Sequence, residues 1–566
     1  MITTHINDGS EPAAVASHKP RSANYASLIA FAILLSRIAG LVRERFFAHY
    51  LGNSPAAGAF KAAIRIPNFL QNLFGEGVLS GSFIPVYARL LAEQRPELAG
   101  RVAGAVAALT ALVTSVLVLL GMLASPLLVD LIAPGFEGEV RDLTVDLVRI
   151  LFPGVGLLVL SAWCLGVLNS HRKFFIPYVA PVLWNLVLIL TLVGFGSRLA
   201  GFSLARTLAW GAVVGSALQF GIQIPFVLRH APAIRLALDW KLEPVRRILR
   251  NFAPLVVGRG VVQVSAFVDE IMASFLGAAA VAGLSYAYTI ALMPISLFGM
   301  SVAAAELPQM SGELGSLPEV YARLRQRLDR GLRQIAFLVV PTATAFILIG
   351  DILVAALYQS GRFGPEDTLF VWFLLGAYSV GLLAATQGRL YSSAFYALGD
   401  TRTPVRFAIA RVALAAALGY LLAFPLRAQL IALLDRIPGF SIPHMTGGEQ
   451  ALGAVGLTMS AGLAAWVELG MLRRALNQRL GRTGLPLRYL AILWILALAG
   501  VAVSRLTAWF AVPALGAWLP GFFGLPHIAV ALFCCAAFGL TYFGGSILLG
   551  VPEAQAMVNR VLRKKL

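Results

Sequence analysis

Six cations stand close together near the start of this chain: Arg37, Arg43, Arg45, Lys61, Arg65 and Arg89, with only Glu44 and Glu76 to offset them. Most fall inside stretches that are otherwise apolar. A charge at the centre of a bilayer helix costs about 2.5–3.5 kcal/mol on insertion scales, so it normally faces a partner or a water-filled cavity. Several cations on two successive apolar stretches therefore predict a pocket for an anion. Arginine suits a phosphate best, because its planar fork donates to two oxygens at once.

The spacing assigns faces. Arg37 and Glu44 are seven residues apart and share a helix face, whereas Arg43 points about 100° away from Glu44. Glu44 is expected to hold an arginine in place. Arg45 lies further round and is expected to reach the headgroups by snorkelling. Lys61, Arg65, Asn68 and Asn72 follow a 4-3-4 spacing, which makes one polar stripe that must face the bundle or water. Lys61 is either a ligand or shallow enough to snorkel. Glu76, in Gly75-Glu76-Gly77, could neutralise an arginine, shuttle a proton or brace a hinge by hydrogen bonding. Further along, Arg259, Gln263 and Glu270 lie on one stripe, with Asp269 beside it. Arg259 and Glu270 are three turns apart and need partners on other helices. Arg411 is a candidate partner for Asp269; the alternatives are an ion pair within one lobe and a site for cation or proton coupling at Asp269 and Glu270. Arg389, Asp351, Glu306 and Glu468 read as isolated structural or interfacial charges.

The elements that must position these residues are membrane helices. The chain of 566 residues is 58% hydrophobic and 13% charged, with a mean hydropathy of +0.80. Soluble domains carry about 25% charged residues. This is an all-α polytopic membrane protein, with fourteen spans expected near 25–51, 58–91, 101–133, 143–169, 175–196, 203–228, 245–277, 283–310, 333–358, 367–398, 404–425, 451–472, 486–508 and 527–549. The second is too long to be straight, and Pro67, Gly75, Gly77, Gly81 and Pro85 would kink or break it. Residues 1–24 read as a disordered cytoplasmic tail. Segments 315–332 and 552–566 read as amphipathic helices on the membrane surface.

The net charge of +18 does not indicate nucleic acid. Its cations gather in alternate short loops, such as Arg323, Arg325, Arg327 and Arg330, or Arg473, Arg474, Arg479 and Arg482. That bias predicts cytoplasmic N- and C-termini. Cys164, Cys534 and Cys535 lie in apolar spans and suggest neither disulfides nor a metal site. No nucleotide-binding loop occurs, so the chain is not its own ATPase, and it is not expected to be an enzyme. No cofactor is expected; membrane potential, H+ or Na+ could drive transport.

The chain also repeats. Glu44 to Gly52 resembles Asp269 to Gly277. Leu73-Phe74-Gly75 before Pro85 returns as Leu297-Phe298-Gly299 before Pro308, and Asn169 to Pro177 returns loosely as Gly399 to Pro404. An even number of helices separates the copies, which predicts two parallel six-helix lobes, 25–230 and 244–476, related by an axis along the membrane normal. Residues 486–549 add two helices outside the repeat. Substrate would sit between the lobes and meet each side of the membrane in turn.

Three segments carry a family resemblance: Ser36-Arg37-Ile38-Ala39-Gly40-Leu41-Val42-Arg43-Glu44, then Arg65-Ile66-Pro67-Asn68-Phe69-Leu70, then Phe74-Gly75-Glu76-Gly77 through Ser80, Phe83 and Pro85. Together they resemble the lipid II flippase family (MurJ, also called MviN) of the multidrug/oligosaccharidyl-lipid/polysaccharide exporter superfamily. The resemblance implies a cell-membrane protein that moves an undecaprenyl-pyrophosphate-linked disaccharide-pentapeptide outward for peptidoglycan synthesis. It implies a central cationic cavity for the pyrophosphate and a groove near the last two helices for the lipid tail. Arg37, Arg43 and Glu44 match family motif positions, and Arg65 stands at the family's basic position before Pro-Asn. With Lys61, Asn68, Glu76 and Arg259 they form the expected substrate-binding set. The chain departs from the family where Gln71 replaces an arginine, Gly58 an acid, and Tyr288-Thr289 an Asp-Arg pair. Some members bind sodium between helices seven and eleven; here residues 404–425 contain no Asp, Glu or Asn. The cationic half is thus expected mostly in the first lobe. A monomer is expected, with membrane lipids and the lipid-linked substrate as partners. The competing readings are a flippase for another polyprenyl-linked glycan, a drug exporter, and a non-transporting scaffold for wall synthesis.

Overall fold

The computed structural model describes residues 21–74, 76–311, 317–434, 448–518 and 522–563. The first half runs through α1 (Arg21–Leu51), α2 (Pro55–Phe74), α3 (Glu76–Ala92), α4 (Pro96–Leu123), α5 (Ser125–Ile132), α6 (Gly138–Ser170), α7 (Phe175–Phe195), α8 (Gly201–Gly221) and α9 (Ile224–His230). The second half begins with α10 (Glu243–Ser274) and α11 (Ala278–Pro294), a π-helical stretch (Ile295–Met300) and α12 (Ser301–Ser311). It continues through α13 (Leu317–Leu348), α14 (Gly350–Tyr358), α15 (Pro365–Val380), α16 (Leu382–Ala397), α17 (Arg402–Ala423), α18 (Arg427–Leu434) and α19 (Gly448–Leu480). Then come α20 (Leu487–Trp518), α21 (Leu525–Leu548) and α22 (Pro552–Arg563).

Ten of these helical stretches are long and apolar enough to cross a membrane, and α15 with α16, bent by 40°, makes an eleventh. The expected spans 25–51, 58–91 and 245–277 are helical but not among them; they are the spans richest in charge. The second has Pro67 inside α2 and Pro85 inside α3, and the expected break at Gly75 lies outside the described residues. The expected surface helix 315–332 is not separate: α13 runs unbroken from Leu317 to Leu348, so its charged first half continues directly into its apolar second half.

The repeat is visible in the backbone. Positive φ values, which end helices or start the next and favour glycine, occur at Gly52 and Gly277, at Gly138 and Gly361, and at Arg172 and Gly399. Short helices α5 and α14 sit at equivalent places between these points. Within the halves, α1 packs on α7 and α6 on α8, as α17 packs on α19; α20 and α21 pack on each other and against α13 and α14.

At the loop after Gly399, Asp400 caps α17. Its Oδ1 accepts from the backbone N–H groups of Arg402 and Thr403, and Oδ2 accepts from Thr403 Oγ1 at 2.7 Å and from Arg479 Nη2 at 2.6 Å. The backbone bond from Thr403 is the main cause that holds this carboxyl down to about 2.

The halves meet most closely at the end where α1 stops and α2 starts. Tyr286 Oη donates to Gly52 O at 2.8 Å, Arg362 N to His49 O at 2.8 Å, and Gly135 N to Ser274 Oγ at 3.0 Å. Gly58 allows the tightest approach: a Cβ there would lie 2.1 Å from Ala278 O. Ordinary contact needs about 3.5–4.0 Å, and small residues are what let membrane helices come this close. Gly58→Val is therefore expected to wedge the halves apart at this end. Spin labels at Glu137 and Glu366, one on each half, should report a longer distance in the variant; an unchanged distance would show that the contact does not set the separation.

Candidate functional site

The site grows from a buried carboxylate. Glu44 is 5% exposed, near the last turns of α1. Its Oε1 accepts from Arg43 Nη2 at 2.5 Å and its Oε2 from Lys61 Nζ at 2.5 Å. Lys61 is mostly buried too, its side chain 10% exposed, with its ammonium 4.4 Å from the centre of the Phe47 ring and 5.4 Å from that of Tyr286. It does not snorkel: it is the cation that α2 contributes to a buried triad, where paired charge and aromatic faces replace water.

Arg43 is pinned on three sides. Besides Glu44, it donates from Nη1 to Asn185 Oδ1 at 3.1 Å, and its guanidinium lies 5.1 Å from the Trp184 ring centre. Asn185 is itself oriented by donating to Pro181 O at 3.0 Å. Neither Trp184 nor Asn185 was among the expected site residues. The available signal was an asparagine in the apolar α7, since polar groups at membrane depth usually face the bundle interior.

Arg37 behaves differently. It shares a face with Glu44 but sits about 10 Å lower along the axis, at 1.5 Å per residue. Glu44 is therefore out of its reach, and Arg37 donates instead to Ser296 Oγ at 2.7 Å. Ser296 lies in the π-helical stretch that follows Pro294. The contact links one half of the protein to the other. Arg45 does not reach headgroups. It donates to the carbonyls of Ala356 and Phe523, with its guanidinium 5.0 Å from the Phe523 ring centre, and so joins α1 to α14 and to the segment before α21.

Arg65 forms an ion pair with Glu270 of the other half. Glu270 is 4% exposed, while the arginine side chain remains 38% exposed. Further along α2, Asn68 and Asn72 on the same stripe, with Gln71 beside them, face a cavity of about 850 Å³. The cavity lies between the halves, and Arg43, Glu44, Lys61 and Arg65 line it from the first. From the second come Asp269, Glu270, Tyr288, Thr289, Arg389 and Arg411. Arg411 does not pair with Asp269; its Nε lies 3.2 Å from Glu468, which is thus not isolated. Nor is Asp351, which takes a two-bond contact from Arg505 of α20, both at 2.8 Å. The side chains of Glu76 and Arg259 lie outside the described residues. Among the described residues, no group of three or more His, Cys, Asp or Glu is arranged to hold a metal ion.

A helical bundle in two repeated halves, with a charged cavity between them at membrane depth, defines a polytopic membrane transporter. A family model described as "Lipid II flippase MurJ" matches residues 47–438, and this chain belongs to that family. Among curated relatives, "Probable lipid II flippase MurJ" of Rhizobium tropici is 33% identical over 72% of this chain and 77% of its own length. "Lipid II flippase MurJ" of Burkholderia cenocepacia is 32% identical over 66% and 73%. A solved structure described as "Lipid II flippase MurJ, inward closed conformation" has the same fold, with a TM-score of 0.67 at 22% identity over 92% of this chain and 98% of that one. A multidrug resistance MATE family transporter of the MOP superfamily shares the fold more distantly, with a TM-score of 0.57 at 17% identity over 80% and 99%.

Proposed function

We propose that this protein is a flippase that carries lipid II, the polyprenyl-pyrophosphate-linked peptidoglycan precursor, across the cell membrane by alternating access. The observation that carries the reading is the cavity between the two halves, lined among the described residues by five cations and three carboxylates. Such a site suits a phosphate-bearing headgroup and disfavours a cationic drug. Family membership supports the same cargo.

In this reading Arg43 and Arg65 bind the pyrophosphate. Glu44, itself anchored by Lys61, holds Arg43 in position, and Asn68 adds a neutral donor. Arg65 exchanges Glu270 for a phosphate oxygen, which leaves Glu270 and the nearby Asp269 as the groups available for proton or cation coupling. Alternate loops rich in Lys and Arg favour cytoplasmic termini. The closely packed end then faces outward, and the cavity is loaded from the cytoplasmic leaflet. The α20–α21 pair is the natural seat for the polyprenyl chain, beside the headgroup rather than around it. The protein acts as a transporter, with no covalent chemistry on its cargo.

The test is reconstitution. Purified protein in liposomes is expected to move fluorescent lipid II between leaflets, and mass spectrometry of lipid that co-purifies with it should find the disaccharide-pentapeptide. Co-purification of a different polyprenyl-linked glycan would reassign the cargo, and failure to translocate either lipid would reject transport.

A further inference from the structure

Arg389 is a cation of the cavity that the reading above leaves without a role. It sits two turns into α16, after the 40° bend between Val380 and Leu382. At that bend a Cβ on Gly381 would lie 2.2 Å from Gly462 Cα, so the backbone of α15–α16 is pressed against α19. The bent helix turns Arg389 towards the cavity, where its side chain is exposed, while the adjoining Gly388 and Leu390 are buried.

The other four cations of the cavity among the described residues are each paired: Arg43 and Lys61 with Glu44, Arg65 with Glu270, Arg411 with Glu468. Among the described residues, none forms an ion pair or hydrogen bond with the Arg389 guanidinium. Its charged neighbours are Arg411, a like charge, and Glu468, already engaged by Arg411. An arginine that is unpaired, beside a second arginine, on the wall of a cavity at membrane depth is poised for an incoming anion.

We infer that Arg389 is the second-lobe ligand of the lipid pyrophosphate, so that one phosphate is held by Arg43 and Arg65 in the first half and the other by Arg389 in the second. The inference rests on the proposed cargo class and adds to it. It means that the two-phosphate headgroup bridges the lobes, and that a lipid with one phosphate engages the first lobe alone. Discrimination between pyrophosphate and monophosphate lipids is then a property of Arg389. The second-lobe position Thr289, which also lines the cavity, is neutral and spends its hydroxyl on Ser285 O at 2.9 Å, so α16 and not α11 supplies this contact.

The experiment measures binding of undecaprenyl pyrophosphate and of undecaprenyl monophosphate to the full chain in nanodiscs, for wild type, Arg389→Gln and Arg389→Lys. One lost charge-assisted contact corresponds to roughly a 10- to 100-fold loss in affinity. Arg389→Gln is expected to lose that much for the pyrophosphate lipid and little for the monophosphate, collapsing the preference between them. Arg389→Lys, which keeps the charge without the fork, is expected to recover part of it. Melting temperatures should match wild type, because the side chain faces the cavity. Unchanged pyrophosphate binding in Arg389→Gln, with binding lost in Arg43→Ala, would overturn the inference and leave the proposed function standing. An equal loss for both lipids would also overturn it, reducing Arg389 to background charge. Failure of the wild type to bind either lipid would instead reject the cargo assignment itself.

Discussion

Arg43→Ala is expected to abolish lipid translocation while the protein still folds and inserts. Arg43 is the cavity arginine with the most elaborate support: a carboxylate, an asparagine and a tryptophan face fix its fork. That support costs no reorganisation when a phosphate arrives, which is the condition for strong anion recognition. Two charge-assisted hydrogen bonds at about 1.5 kcal/mol or more each amount to roughly 100-fold or more in affinity. Removal leaves no buried charge stranded, because Lys61 still neutralises Glu44. The defect should therefore appear in transport and not in stability. Labelled lipid II in proteoliposomes measures the first, and a melting curve in detergent the second. Wild-type translocation by Arg43→Ala would reject the site. Arg43→Lys should recover little, since an ammonium cannot span Glu44, Asn185 and a phosphate together.

Glu44→Gln is expected to produce the opposite pattern, a large loss of stability. It leaves Lys61, whose side chain is 10% exposed, beside Arg43 with no carboxylate between them. Breaking a buried pair by removing one partner typically costs about 3–5 kcal/mol, most of it the stranded charge. The double variant Glu44→Gln with Lys61→Met should regain most of that, because it removes the stranded ammonium and keeps the packing against Phe47 and Tyr286. A double-mutant cycle on unfolding in detergent separates the pair energy from the two single effects. If Glu44→Gln melts like wild type, the triad is not what keeps Lys61 buried. The two experiments together assign separate tasks: Arg43 to the anion, Glu44 to the placement of Arg43.

Much of this site was legible from residue type and spacing. A bilayer tolerates charge only where it is paired or wet, so clustered cations in apolar spans locate a cavity without any knowledge of its shape. The 4-3-4 stripe correctly placed Lys61, Arg65, Asn68 and Asn72 on one side of α2, and all four line the cavity. Among the described residues the cavity's cations do lie mostly in the first lobe, with Arg43, Lys61 and Arg65 there, but Arg389 and Arg411 of the second lobe line it as well. Arg389 reads as isolated in the sequence because it is the one charged residue of α16, and a single charge has no periodicity to reveal its partner; Arg411 reads as a candidate partner for Asp269, whereas it pairs with Glu468. The same blindness applied to Arg45, whose acceptors are carbonyls some 300 and 480 residues away along the chain.

The sequence by itself determined what the membrane dictates locally: helices, the repeat of the lobes, and which residues cannot face lipid. Composition and period carry those, because they depend on neighbours within a few turns and on the solvent around them. Only the tertiary structure decided which charge meets which: Glu44 with Lys61 rather than Arg37, Glu270 with Arg65, Arg411 with Glu468 rather than Asp269. Those pairings depend on the depth of each side chain in the bundle and on how closely the lobes approach. Ångström-scale offsets between helices distant in sequence fix both, and no spacing along one helix encodes them.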